Sequence, residues 1–149
     1  MKIEDEIKGR FRNEYHKGMI NLVYTVNQLG YQFMLTIKAH GLTEPQYNVL
    51  RVLRGFRSDG PVSINFLKER MLDKSSDVSR IVDTLFRKGL VNRKENPADR
   101  RQKEIDISDK GLALISEMPE CEKQMDQLLG NLSPEEVSQL NHLLDKIRS

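Results

Sequence analysis

A single cysteine, Cys121, leaves no partner for an intrachain disulfide, and a lone thiol suits a reducing compartment. No apolar run approaches the ~20 residues of a membrane-spanning helix. The first residues, Met1-Lys2-Ile3-Glu4-Asp5-Glu6, are charged where a signal peptide is apolar. A cytoplasmic protein without a membrane association is therefore expected. Enzymatic signatures are also missing: there is no glycine-rich phosphate loop and no nucleophile motif. His16, His40 and His142 are too scattered to suggest a metal site. Neither catalysis nor a metal or cofactor is expected. With no linker, repeat or low-complexity segment, the 149 residues read as one domain.

Net charge is also scarce, only +2 from 24 Lys+Arg against 22 Asp+Glu. Its distribution says more than its total. Residues 68–103 hold eleven basic and six acidic side chains, net +5, which leaves −3 for the remainder. Residues 104–149 hold four basic against ten acidic, net −6. A basic middle followed by an acidic C-terminal part suits a chain that presents one face to a phosphate backbone and turns its end away.

That middle contains the most informative stretch, residues 75–111. Val78, Ile81, Val82 and Leu85 recur at three- and four-residue steps and predict a helix with one apolar face. Ser75, Ser76, Ser79, Arg80, Asp83 and Arg87 are left facing outward. Small hydroxyl residues let a backbone approach a groove closely, and arginine matches a guanine edge. Ser75 is the expected N-cap, a role that would occupy its hydroxyl, whereas Ser79 and Arg80 are expected to contact DNA. Gly89-Leu90 predicts a Schellman stop. Two strand-like runs follow, residues 90–94 and 103–107, separated by the polar turn Asn96-Pro97-Ala98-Asp99-Arg100-Arg101-Gln102. Arg100 and Arg101 at the turn suit a narrow minor groove, and Asp99 is placed to orient one of them by a bidentate pair. A helix followed by an arginine-tipped hairpin is the outline of a winged helix.

The rest of the chain is helical. Apolar residues from Ile7 to Ile37 recur at helical spacing and predict one long helix, bent near Gly18 or Gly30 and stopped at Gly41. Its first half has no core to join within the chain, and a second copy would cover it. Thr43-Glu44-Pro45-Gln46 is a capping box with proline in the first turn. The helix it opens is expected to end near Arg57. Residues 62–64 suggest a short strand, and Phe66, Leu67, Met71 and Leu72 a third helix, which completes a helix-turn-helix spacing. Ser108 is expected to cap a helix interrupted at Pro119 and resumed through Met125, Leu128 and Leu129. Ser133-Pro134-Glu135-Glu136 opens the last helix with a second capping box. Met19, Met34, Met71, Met118 and Met125 are expected in the core.

Four of these motifs together resemble the MarR (multiple antibiotic resistance regulator) family. They are Gly41-Leu42-Thr43-Glu44-Pro45-Gln46-Tyr47-Asn48-Val49-Leu50, Val78-Ser79-Arg80-Ile81-Val82-Asp83, Gly89-Leu90-Val91-Asn92-Arg93, and Asp99-Arg100-Arg101 with Ile107-Ser108-Asp109-Lys110-Gly111. Position 108 carries serine for the usual threonine. The resemblance implies a mostly α fold with a small β-hairpin wing. Residues 43–107 would form the winged helix-turn-helix, and residues 1–40 and 108–149 the dimerisation helices. It implies a homodimer that binds double-stranded DNA at a pseudo-palindromic operator, usually as a repressor, and a small amphipathic ligand that releases DNA. Carried over from it, Ser75, Ser76, Ser79 and Arg80 would face the major groove and Arg100 or Arg101 would enter the minor groove; Lys74, Asp77, Arg87 and Asp99 complete the expected DNA-binding residues. Asp77 departs from the pattern by placing a negative charge at the helix start. Redox sensing through Cys121 is disfavoured, because Glu120 and Glu122 beside it raise a thiol's pKa. The alternative is a helical dimer that binds another protein, but it leaves an arginine-tipped hairpin beside a serine-rich helix without a use.

Overall fold

The computed structural model describes residues 1–118, 123 and 126–149. Pro119, Cys121 and Met125, with the helix interruption and thiol chemistry considered for them, lie outside the described residues.

The long first helix is two helices. α1 spans Ile3–Ile7 and ends at Lys8, whose φ of 56° is left-handed, so the helical path stops there. α2, Glu14–Ala39, restarts where the Asn13 side chain accepts from the His16 N–H at 2.9 Å, and it continues through Gly18 and Gly30. α1 folds back along α2: Ile3 is buried, Glu4 pairs with Lys17, and the Tyr24 hydroxyl donates to Glu6 at 2.9 Å. Lys17 draws the Glu4 carboxyl below its ordinary pKa, and Glu4 raises that of Lys17.

Gly41 closes α2 with the hydrogen bonds of a Schellman motif, Gly41 N–H to Lys38 O and Leu42 N–H to Ile37 O. The predicted capping box then starts α3, Glu44–Gly55, with both reciprocal bonds formed between Thr43 and Gln46. A single 3-10 turn, Arg57–Asp59, ends this stretch. Ser63 caps α4, Ile64–Arg70, so the expected strand at residues 62–64 shrinks to one bridge. In it Val62 and Ile105 exchange two backbone hydrogen bonds of 2.8 Å. α5 spans Val78–Arg87, and the wing is β1, Val91–Glu95, antiparallel to β2, Lys103–Ile107, with Val91 opposite Ile107 and Glu95 opposite Lys103.

Several elements contribute to one core: Ile37 from α2, Leu50 and Leu53 from α3, Leu67 from α4, Val78, Val82 and Leu85 from α5, Val91 from β1 and Ile105 from β2. α6, Asp109–Ser116, adds Ile115, and Met118 follows it into the core. The last helix, α7, spans Pro134–Arg148, where Ser133 accepts from the Glu136 N–H and so forms the serine half of the expected box. α7 buries none of its residues. Met71 and Met118 lie in the core as expected, but Met19 and Met34 do not: they stand 59% and 42% exposed on α2. Met19 belongs to the helical period read from the sequence, yet among the described residues its face is only lined on one side, by α7, and stays open.

Candidate nucleic-acid interface

The interface is built around α5. Its N-cap is Asp77, whose carboxylate accepts from the Arg80 N–H at 3.2 Å, and not Ser75. Ser75 lies two residues too early and instead donates to Asp73 through its backbone N–H (2.9 Å) and hydroxyl (2.6 Å). Those two donors hold the Asp73 carboxyl below its ordinary pKa. The negative charge at position 77 thus completes the helix start, where a carboxylate also meets the positive end of the helix dipole.

The segment ahead of α5 sorts the predicted contacts. The Lys74 ammonium turns back to the carbonyls of Lys68 and Glu69, closing the end of α4. The Ser76 hydroxyl was expected outward, but its oxygen is buried and has no hydrogen-bond partner among the described residues. Ser79 and Arg80 are exposed on the outer face of α5. Arg87 is exposed at the other end of the helix, its Nε 3.5 Å from the Asp83 carbonyl.

Asp83 joins the helix to the wing. Its carboxylate pairs with Arg93 of β1, and the Arg93 guanidinium lies 4.6 Å from the centre of the Phe86 ring. The hydrogen bond from Arg93, and then its charge, hold Asp83 below the ordinary carboxylate range. Arg93 and Phe86 were not among the expected functional residues. The pairing spans ten residues and exists only because β1 returns beside α5 after the Gly89 turn.

At the wing tip Asp99 accepts from the Arg101 backbone N–H at 3.0 Å. It therefore shapes the turn and makes no bidentate arginine pair, since its reach is taken up two residues along its own chain. Asn96 does the same for Ala98 at 2.9 Å. Arg100 and Arg101 are exposed, and neither guanidinium makes a hydrogen bond or ion pair with a described residue. Ser79 of α5 and Arg101 of the wing line one cleft, so helix and wing tip face the same side.

The base of the wing is locked. Gly89, at φ 75°, donates to Phe86 O while Leu90 donates to Leu85 O, the expected Schellman pair. Ser108 donates from its hydroxyl to Gly89 O at 2.6 Å and accepts from the Gly111 N–H, so serine fills the position without loss of the bond. Lys110 reaches Lys88 O at 2.9 Å. Gly111 packs so closely on Leu90 that a Cβ would lie 2.2 Å from its carbonyl oxygen.

Among the described residues no three His, Cys, Asp or Glu side chains gather as for a metal, and no helix is long and apolar enough to cross a membrane.

Residues 42–103 match the sequence model of the MarR family. The chain is 30% identical over 112 residues to the HTH-type transcriptional regulator MhqR of Bacillus subtilis (strain 168), covering 74% of this chain and 75% of that one. Its fold matches Bordetella bronchiseptica BpsR, a protein whose DNA binding is regulated by 6-hydroxynicotinic acid. The TM-score is 0.76 at 26% identity, over 95% of this chain and 99% of that one. It also matches the fold of S. aureus MepR, solved as a DNA complex, with TM-score 0.72 at 24% identity over 84% and 94%. With its winged helix and these relatives, the chain belongs to the MarR family of transcriptional regulators.

Proposed function

We propose that this chain acts as a homodimeric repressor of a pseudo-palindromic operator, released by a small amphipathic ligand. The observation that supports the DNA-binding part is the shared face of α5 and the wing, where exposed Ser79 and Arg101 line one cleft and their exposed sequence neighbours Arg80 and Arg100 do not line it. Arg80 reads a base edge in the major groove, and Arg100 or Arg101 of the wing enters the neighbouring minor groove. Arg87 adds a backbone contact from the far end of α5. Lys74, Ser75, Ser76, Asp77 and Asp99 serve this face by shaping it: each is committed to a cap, a turn or the interior.

Dimerisation rests on the uncovered apolar face. Tyr15, Met19 and Leu22 of α2 and Leu143 and Ile147 of α7 line an open groove of about 690 Å3, with Tyr15 90% and Ile147 69% exposed. A second copy removes that surface from water and sets two recognition helices at half-site spacing. For the ligand, a cleft of about 460 Å3 lies between α2 and residues 127 and 128, lined by Phe33, Leu35 and Leu128 with Gln32, Thr36 and Gln127. Mixed apolar and amide lining suits an amphipathic molecule. BpsR, named with 6-hydroxynicotinic acid, supplies a precedent for such control in a relative.

Selection from a random duplex library, followed by binding to the winner at several salt concentrations, tests the proposal. The expected result is an inverted repeat with half-site centres about one helical turn apart and a steep salt slope. A folded protein that enriches no sequence would overturn it.

A further inference from the structure

The cleft between α5 and the wing, about 290 Å3, is polar on three sides. α4 contributes Asn65, α5 contributes Ser79, and the hairpin contributes Arg101, Gln102 and Lys103. None of its lining residues is acidic. The side chains of Asn65, Ser79, Arg101 and Gln102 make no hydrogen bond to a described residue, so their donors are available. Lys103 has Glu95 at 3.8 Å and so brings a partly balanced charge. Ser63 accepts from the Phe66 N–H, which fixes its hydroxyl as the α4 cap and leaves its O–H to donate.

Adjacent major and minor grooves are separated by one sugar–phosphate strand. If α5 occupies the first groove and the wing tip the second, that strand has to cross between Ser79 and Arg101. We propose that this cleft seats one backbone phosphate of the crossing strand, an inference that rests on the DNA-binding reading above. Arg101 supplies the charge, while the Asn65 and Gln102 amides and the Ser79 hydroxyl donate to the phosphate oxygens. This assigns different tasks to the two wing arginines. Arg100 does not line the cleft and is the one that enters the minor groove; Arg101 holds the strand beside it. Such a seat carries no sequence information, but it fixes the register in which Arg80 meets the bases.

The test uses the full chain with Asn65→Ala and Asn65→Asp, on the selected duplex and on an unrelated one. Asn65 is exposed and holds nothing in the fold, so thermal melting of both variants should match wild type. Asn65→Asp sets a carboxylate against the phosphate and should weaken binding by about tenfold on both duplexes, leaving their ratio unchanged. Asn65→Ala should lose only a few-fold, roughly one neutral hydrogen bond. A walk of single uncharged methylphosphonate linkages along the duplex should then find one position at which the Asn65→Asp penalty collapses. Wild-type affinity in Asn65→Asp, an altered base preference, or a penalty that survives at every linkage would each overturn the phosphate seat while leaving DNA binding intact. A wild-type chain that binds neither duplex would instead remove the DNA-binding reading and this inference with it.

Discussion

Arg80 of α5 and Arg101 of the wing are expected to behave differently when lost. Arg80 is exposed on α5, and on the proposed reading Arg80→Ala should cost about 1–3 kcal/mol on the selected operator and relax preference at one base pair. Arg101→Ala should weaken binding on operator and random DNA alike and lower the salt slope by about one, which titrations at several salt concentrations will show. Asp83 has its own signature. Its carboxyl is held below the ordinary range by Arg93, so its contribution to stability is complete above the ordinary value and is lost as pH falls through the folded one. The difference in melting temperature between wild type and Asp83→Asn should therefore be constant near neutrality and shrink as pH drops below about 4. A difference that grows in acid would contradict the ion pair. Both Asp83 and Arg93 are partly exposed, so the effect is small in stability and is expected mainly in the placing of the wing.

Among the elements, the junction of α5, β1 and α6 is the most tightly specified. Gly89, Leu90, Ser108, Lys110 and Gly111 tie the exit of α5 to the start of α6. Gly111→Ala has nowhere to put its methyl group except into the Leu90 carbonyl, which is backbone and cannot swing aside. A loss of at least ~2 kcal/mol is expected, a fall in Tm of roughly 5 °C or more by calorimetry. A neutral result would mean that α6 can slide on the wing base. This junction also bears on legibility. The Gly89-Leu90 stop and the Ser108 cap were readable, because each depends on a few adjacent residues. The close approach of Gly111 to Leu90 was not, because it joins two turns that only the packed hairpin brings together.

For the whole molecule, the exposed apolar face of α2 and α7 decides whether one chain is enough. Met19→Glu puts a charge into the groove beside Leu140 and Leu144 without touching the core around Ile37 and Leu50. Sedimentation should show a folded monomer at low micromolar concentration. Operator affinity should fall by about a hundredfold or more, since two linked half-site contacts become one. A Met19→Glu dimer with unchanged affinity would place the interface elsewhere.

Local and periodic features were settled by the amino-acid order alone. The apolar steps of α3 and α5, the Thr43–Gln46 capping box, the Ser133 cap, the Schellman stop and the paired strands each follow from interactions within a few residues, where backbone sterics and hydrogen bonding dominate. Misjudged details had the same scale but a closer competitor: Asp77 displaced Ser75 as cap, and Lys8 with Asn13 split the first helix. Only the tertiary structure decided which side chains meet across the fold. It turned Lys74 onto α4, sealed the Ser76 hydroxyl inside, joined Asp83 to Arg93, and set Asn65 beside Arg101. Those outcomes depend on where the core places whole elements relative to one another. That placement is a sum over many weak, non-directional apolar contacts which no short stretch of sequence contains.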